Sequence, residues 1–433
     1  MVVNDSVVGT FDTIDQIRFE HSGKDLSYAC MKDGKWFVFQ NGAKSGQYDK
    51  LRDRHLLWNE KNAPAVYAAF KDGQCFYVID GKEGPHFQTV SDAYNMGDGK
   101  TIAYFGNAGG KSSVIRGDSR YDYAKPVKMM EYAQTPAGTN LAWVVMDTSS
   151  AYLVINGKKS SSDYGQIGFM QPTGDGFCYE ARTGKSWYYV IGDKKSPAFE
   201  DVDIETLKLR ENGKTIIYAA QAGGFWNVYI NDVKVSEPFD ECIDVLVSPD
   251  GRTILCSFIK EGKNYVAVNA VKNGPYDHAD LTMGEVAFSP DSKHWAYVAK
   301  KDKKQLLVTD GGTAVFDDFV FLHDFNADGE LLYTTKENGT KRVLHIGKKT
   351  IGPFDEIGVL CYRPDNGIFS PDGKSTVLKI QENAQEWVMT GQKTSSRFDA
   401  IIYWSGEDDS GNVRFWALRG MEIWRIDVKP RQG

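Results

Sequence analysis

The sequence contains no apolar run approaching the roughly 18 residues needed to cross a bilayer as a helix. It has only 14 prolines beside 43 glycines, and its 6 cysteines include no C-x-x-C pair. The first absence excludes a helical membrane span. The third removes the usual thiol signatures of zinc and redox sites. Excess basic charge is missing as well: 51 Lys and Arg stand against 58 Asp and Glu, a net charge of −7, with lysines spread along the whole chain. Nucleic-acid binding calls for a basic patch or stripe, so nucleic acid is not an expected partner. The opening residues, Met1-Val2-Val3-Asn4-Asp5-Ser6, show neither a basic n-region nor an apolar h-region, so no signal peptide is read there.

What is present is strand and turn chemistry. At 433 residues the chain is too long for one ordinary core, which leaves several domains or a repeat. Its 22 Tyr, 23 Phe and 10 Trp, set among the glycines, point to aromatic-rich strands joined by tight turns. Cys30, Cys75, Cys178, Cys242, Cys256 and Cys361 fall mostly inside apolar strand-like runs and read as buried thiols. Only Cys242 and Cys256 flank a single hairpin turn and so stand where a cross-strand disulfide could form; buried thiols are the preferred reading there too.

A repeat runs through the chain. An aromatic residue, usually followed by an acid, recurs at Phe11-Asp12, Tyr48-Asp49, Phe87-Gln88, Tyr121-Asp122, Tyr164-Gly165 and Phe199-Glu200. It continues at Phe239-Asp240, Tyr276-Asp277, Phe316-Asp317, Phe354-Asp355 and Phe398-Asp399, in steps of 34 to 44 residues. Turns such as Asn41-Gly42, Asp80-Gly81, Asn156-Gly157 and Asp310-Gly311 keep the same step and supply the positive φ angles of two-residue hairpins. Each unit reads as four short strands. Residues 243–247, 253–259 and 265–269 are three of them in the seventh unit, and the segment through Gly274-Pro275-Tyr276 is the fourth. Four strands in about 40 residues, repeated, make a propeller blade, so the predicted fold is all-β: a β-propeller assembly of about eleven four-stranded blades. The aromatic is expected to pack between blades while the acid hydrogen-bonds a turn.

Ser248-Pro249-Asp250-Gly251, Ser289-Pro290-Asp291-Ser292 and Ser370-Pro371-Asp372-Gly373 add a sharper signature. With Trp295-Ala296-Tyr297-Val298-Ala299 and Thr376-Val377-Leu378-Lys379 following, this part resembles the WD40-like SPDG repeat of TolB and of tricorn-type and prolyl-oligopeptidase-type propellers. The likeness covers residues 239–433 well and 11–238 only through the looser aromatic-acid pattern. It implies a propeller and a periplasmic or extracellular setting. It does not carry over the relatives' activities, because neither their additional α/β domain nor the G-x-S-x-G elbow is found.

Propellers usually close with 4 to 8 blades. The change from glycine-rich turns to Ser-Pro-Asp-Gly turns near residue 238 favours a six-bladed ring over 13–238. A five-bladed ring over 239–433 would follow, and one continuous ring over 1–433 is the alternative. Residues 6–12 match a fourth strand and residues 421–427 a third, so the N-terminal strand is expected to complete the last blade.

No cofactor or metal motif emerges. Asp324-Phe325-Asn326-Ala327-Asp328-Gly329 opens like a calcium loop, but its twelfth position is Thr335, so it reads as a turn. Gly184-Lys185-Ser186 and Gly373-Lys374-Ser375 lack the first glycine of a phosphate loop and read as hairpins. Histidines 21, 55, 86, 278, 294, 323 and 345 show no H-x-x-x-H spacing, which excludes a helical zinc site but not one assembled across blades. Arg116-Gly117-Asp118-Ser119 matches an integrin-type tetrapeptide at a strand turn, making Arg116, Gly117 and Asp118 the candidate partner contacts. The expected function is a non-catalytic scaffold presenting loops to a protein or polysaccharide. The alternative is a glycan-active hydrolase or lyase with acidic residues in a central channel.

Overall fold

The structure is a computed structural model. It describes residues 2–3, 6–7, 9–19, 26–40, 42–52, 66–98, 100–135, 138–160, 162–174, 176–210, 214–281, 285–337, 339–359, 377–390, 393–407, 413–420 and 422–428. The chain falls into two compact units, Met1–Ala198 and Phe199–Gly433. Apart from one turn of 3-10 helix, Ile204–Thr206, the regular structure among these residues is antiparallel strand, and no helix is long and apolar enough to cross a membrane.

The strands form successive up-and-down sheets, mostly of four, built like propeller blades. The seventh unit shows the pattern: Glu241–Val247, Ile254–Lys260, Lys263–Val268 and Val271–Tyr276 pair in chain order. The first strand is interrupted by a register shift between Cys242 and Asp244. The second is buried on both faces, as the predicted runs of apolar residues require. The last sheet has three described strands, Ala400–Glu407, Val413–Arg419 and Glu422–Val428. Near the N-terminus, Ser6–Val7 pairs with Val2–Val3.

Core clusters are shared between consecutive sheets. In the first unit, Val38 and Tyr48 pack with Tyr67, Ala69, Phe76 and Val78 of the next sheet. In the second, Leu255 and Val266 pack with Tyr297, Ala299 and Val308. No sheet could bury both faces alone, so each depends on its neighbours.

The aromatic-acid dipeptide is the hinge between them. The backbone of the aromatic bridges to the start of the preceding third strand, as in Trp36–Tyr48, Cys75–Phe87, Trp226–Phe239 and Glu386–Phe398. The next residue then donates its N–H to the second strand of the following sheet: Asp49 to Phe70 O, Gln88 to Asn107 O, Asp240 to Ile259 O and Asp399 to Leu418 O. Its side chain caps the hairpin turn there. Asp12 accepts the N–H of Asp33, Asp49 that of Asp72, Asp240 that of Glu261, Asp277 that of Asp302 and Asp355 that of Asn383. Each of those five turn residues has a φ of 52°, a left-handed conformation in which a non-glycine residue needs support. The acid supplies it.

The Ser-Pro-Asp turns are braced from within, and Asp250 also donates its N–H to Ser292 Oγ of the next such turn. Ser248 Oγ donates to Asp250 Oδ1 at 2.7 Å and accepts the N–H of Thr253, and Ser289 does the same with Asp291 and His294. The third copy, at 370–373, lies outside the described residues, as do Gly373-Lys374-Ser375 and Cys361.

Candidate functional site

Three groups of side chains could carry function. The first is the Arg116-Gly117-Asp118 turn. Gly117 has a φ of 54° and donates its N–H to Ile102 O, and both Gly117 and Asp118 are exposed. Arg116 is half-buried, with Nη1 donating to Asn156 Oδ1 at 2.9 Å and Nη2 to Thr139 O at 3.1 Å. Its guanidinium ties one sheet to the next. The atoms offered outward at this turn are those of Gly117 and Asp118.

The second group is acidic and sits on first strands. Burial pushes the Asp244 carboxyl up; Lys208 opposes this, and Asp203 and Glu205 add to it. Burial pushes Asp324 up as well. Each places Oδ1 2.7 Å from the N–H of the residue after it, Val245 and Phe325, at a register shift in its strand. The same arrangement recurs in these two repeats. Beside Asp324, the His323 ring holds Nε2 2.7 Å from Thr334 Oγ1, while its buried Nδ1 has no hydrogen-bond partner.

The third group lies in the connection between Val271–Tyr276 and Val286–Phe288. His278 Nε2 is 3.5 Å from Asp280 Oδ2 and 3.9 Å from Glu285 Oε2, and one ligand atom from each residue falls within 4.8 Å of the others. Burial and the adjacent Asp280 carboxylate push Glu285 up to about 7. His294 Nδ1 and Asp310 Oδ2, 2.8 Å apart, form a separate, partly exposed pair.

No known family profile matches the sequence, and no curated protein matches it. Solved structures do show a likeness in fold. A eukaryotic initiation factor matches at 14% identity and a TM-score of 0.37, over 78% of this chain and 98% of its own. TolB from Acinetobacter baumannii matches at 13% and 0.27, over 70% and 81%. The β-propeller domain of the Trilobed protease from Pyrococcus furiosus matches at 15% and 0.29, over 60% and 96%. Likeness this distant carries no argument about activity.

The calcium-like segment proves to be a turn, with Asn326 Oδ1 accepting the N–H groups of Asp328 and Glu330. Gly184 likewise sits in a hairpin turn with a φ of 62°. Cys242 and Cys256 are free thiols and are not directly opposite: Cys242 faces Phe258, and Cys256 faces Val245. Sequence reasoning selected none of His278, Asp280 and Glu285. A search for paired histidines on a helix cannot find them, whereas a His-x-Asp step followed by Glu in a connection between strands was the available signal.

Proposed function

We propose that the chain is a non-catalytic binding scaffold whose exposed turns and outer strand edges receive a protein partner. The observation that carries this reading is the set of fourth strands. Val271–Tyr276 and Gly312–Phe316 end their sheets, pair on one side only among the described residues, and expose Val271 at 66% and Val315 at 61%. An unpaired edge with apolar side chains is a template for an extended segment of another protein. An exposed backbone edge favours a protein, which can add a strand to it, over a polysaccharide, which cannot. Arg116, Gly117 and Asp118 belong to the reading as a second contact, through the exposed turn.

The six-plus-five arrangement of rings, 13–238 and 239–433 with strand 6–12 completing the last blade, is part of the same proposal. Its support is the match of residues 6–12 to the fourth strand at 349–355. Removing residues 1–12 should lower the melting temperature by several degrees. Unchanged stability would refute closure by that strand.

The test of function is crosslinking of the intact chain in an extract of its source, followed by mass spectrometry. Val271→Lys, Val315→Lys and Asp118→Ala variants would be compared after their melting temperatures are matched to the unmodified chain. A protein that crosslinks to these strands or this turn, and is lost from the matching variant, supports the scaffold. Crosslinks indifferent to all three substitutions overturn it.

A channel hydrolase is the second reading, favoured by the burial of Asp244 and Asp324. Turnover of a polysaccharide panel, abolished by Asp244→Asn or Asp324→Asn, would establish it.

A further inference from the structure

We propose that His278, Asp280 and Glu285 bind one divalent transition-metal ion of the zinc class, through the imidazole Nε2 and one oxygen of each carboxylate. This site goes beyond the scaffold reading and does not depend on it.

The local sequence sets the direction of the side chains. In Asp277-His278-Ala279-Asp280-Leu281, Ala279 at 0% and Leu281 at 1% exposure point into the core with Leu255, Val266 and Tyr297. Alternation along an extended segment then turns His278 and Asp280 to the opposite side together. Leu281 has a φ of 56°, which ends the extended run, and Glu285 approaches the same spot from the start of the next strand.

The backbone of all three residues is anchored. His278 exchanges hydrogen bonds with Lys300, whose N–H donates to His278 O at 2.8 Å and whose carbonyl accepts the His278 N–H at 3.3 Å. Ser257 Oγ donates to Asp280 O at 3.2 Å, and the Val298 N–H donates to Glu285 O at 2.7 Å. The ligands therefore hang from the strands Ile254–Lys260 and Trp295–Lys301, not from a free loop. A site held by regular strands keeps its geometry before the ion arrives.

The distances fit one ion. Zinc–ligand bonds of about 2.0–2.2 Å put two ligands of one ion roughly 3–4 Å apart, with small rotamer adjustments closing the rest. His278 Nε2 stands at 3.5 Å and 3.9 Å from the two carboxylate oxygens. Two carboxylates and an imidazole suit zinc, manganese or iron; calcium would need 6–8 oxygens and takes no imidazole. Charge points the same way. Two acids meet here, and the carboxyl groups of Asp280 and Glu285 lie against one another beside the His278 ring. Two carboxylates held this close repel one another, and a divalent ion between them would relieve that repulsion. The half-exposed His278 leaves the remaining coordination positions open to water.

The experiment is a calorimetric titration of the full chain with Zn²⁺ after EDTA treatment and dialysis, at neutral pH. Visible absorption with Co²⁺ reports the ligand field. One ion per chain is expected, with affinity in the micromolar range or tighter. Glu285→Gln and His278→Ala should each weaken it at least tenfold, while His294→Ala, at the separate His294–Asp310 pair, leaves it unchanged. Glu285→Gln conserves shape, and the unmodified chain's Co²⁺ spectrum is read independently of any variant's folding. Absence of stoichiometric binding by the unmodified chain, or binding undiminished in both ligand variants, overturns the assignment.

Discussion

The carboxylate of Asp240 accepts the backbone N–H of Glu261 at 2.6 Å, and so joins the end of one sheet to the hairpin turn of the next. Glu261 sits at a φ of 52°, so the bond supports a conformation that a glutamate does not favour. Asp240→Ala should cost about 1 kcal/mol, the usual net worth of such a bond, and Asp240→Asn should retain part of it through its remaining carbonyl oxygen. Urea denaturation measures both. If Asp240→Ala unfolds at the same midpoint as the unmodified chain, the dipeptide's acid has no capping role.

The repeat was legible because it is written in this hinge. Asp12, Asp49, Asp240, Asp277 and Asp355 all meet a turn one sheet onward, so each must recur at blade spacing. Strand positions followed with small shifts; the segment 253–259 is Ile254–Lys260 in the structure. The site at His278 was not legible for the opposite reason. Its three residues interrupt the repeat, and their meeting depends on Ala279 and Leu281 turning inward and on bonds from Ser257, Val298 and Lys300. Those are tertiary facts with no fixed sequence spacing. The turn at Gly117 and Asp118 is plain from the sequence, but the attachment of Arg116 to Asn156 and Thr139, which are distant in sequence, is not.

His323 should make the chain sensitive to mild acid. Burial first, and the Arg342 charge second, hold its pKa down to about 4, below the ordinary 6.5 of histidine. The native state thus refuses a proton that the unfolded chain accepts. The resulting stability is complete above pH 6.5 and is lost as the pH falls toward 4, by up to about 3 kcal/mol. Asp324, next in sequence and pushed up by burial, titrates with the opposite sign, so the comparison must be between variants. Denaturation at pH 7 and pH 4.5 should show a smaller loss for His323→Phe than for the unmodified chain. Equal losses would show that the imidazole is not the responsive group.

Arg116 gives a prediction that separates scaffold from contact. Arg116→Ala removes its bonds to Asn156 Oδ1 and Thr139 O and should destabilise the first unit by about 1–2 kcal/mol. Asp118→Ala should leave the melting temperature within a degree or so, because the residue is exposed at the turn. Equal effects from the two substitutions would contradict this division of roles.

Gly106 shows why the aromatic of the dipeptide requires a particular partner. Phe87 lies flat over Gly106 in the strand Ile102–Ala108, so that a Cβ built there would stand 2.2 Å from ring atoms Cγ and Cδ2. Phe87 is itself buried among Val90, Ile102 and Tyr104 and has no open side to which it can retreat. Gly106→Ala should therefore cost about 1–3 kcal/mol through overpacking, although alanine suits an extended backbone as well as glycine does. A double-mutant cycle tests the cause. Phe87→Leu removes the flat ring, so Gly106→Ala should cost less in that background by 0.5 kcal/mol or more, a coupling that independent sites do not show. If the cost of Gly106→Ala is the same with Phe87 and with leucine in its place, the ring does not dictate the glycine, and the close approach of Phe87 is incidental to the way one sheet seats on the next.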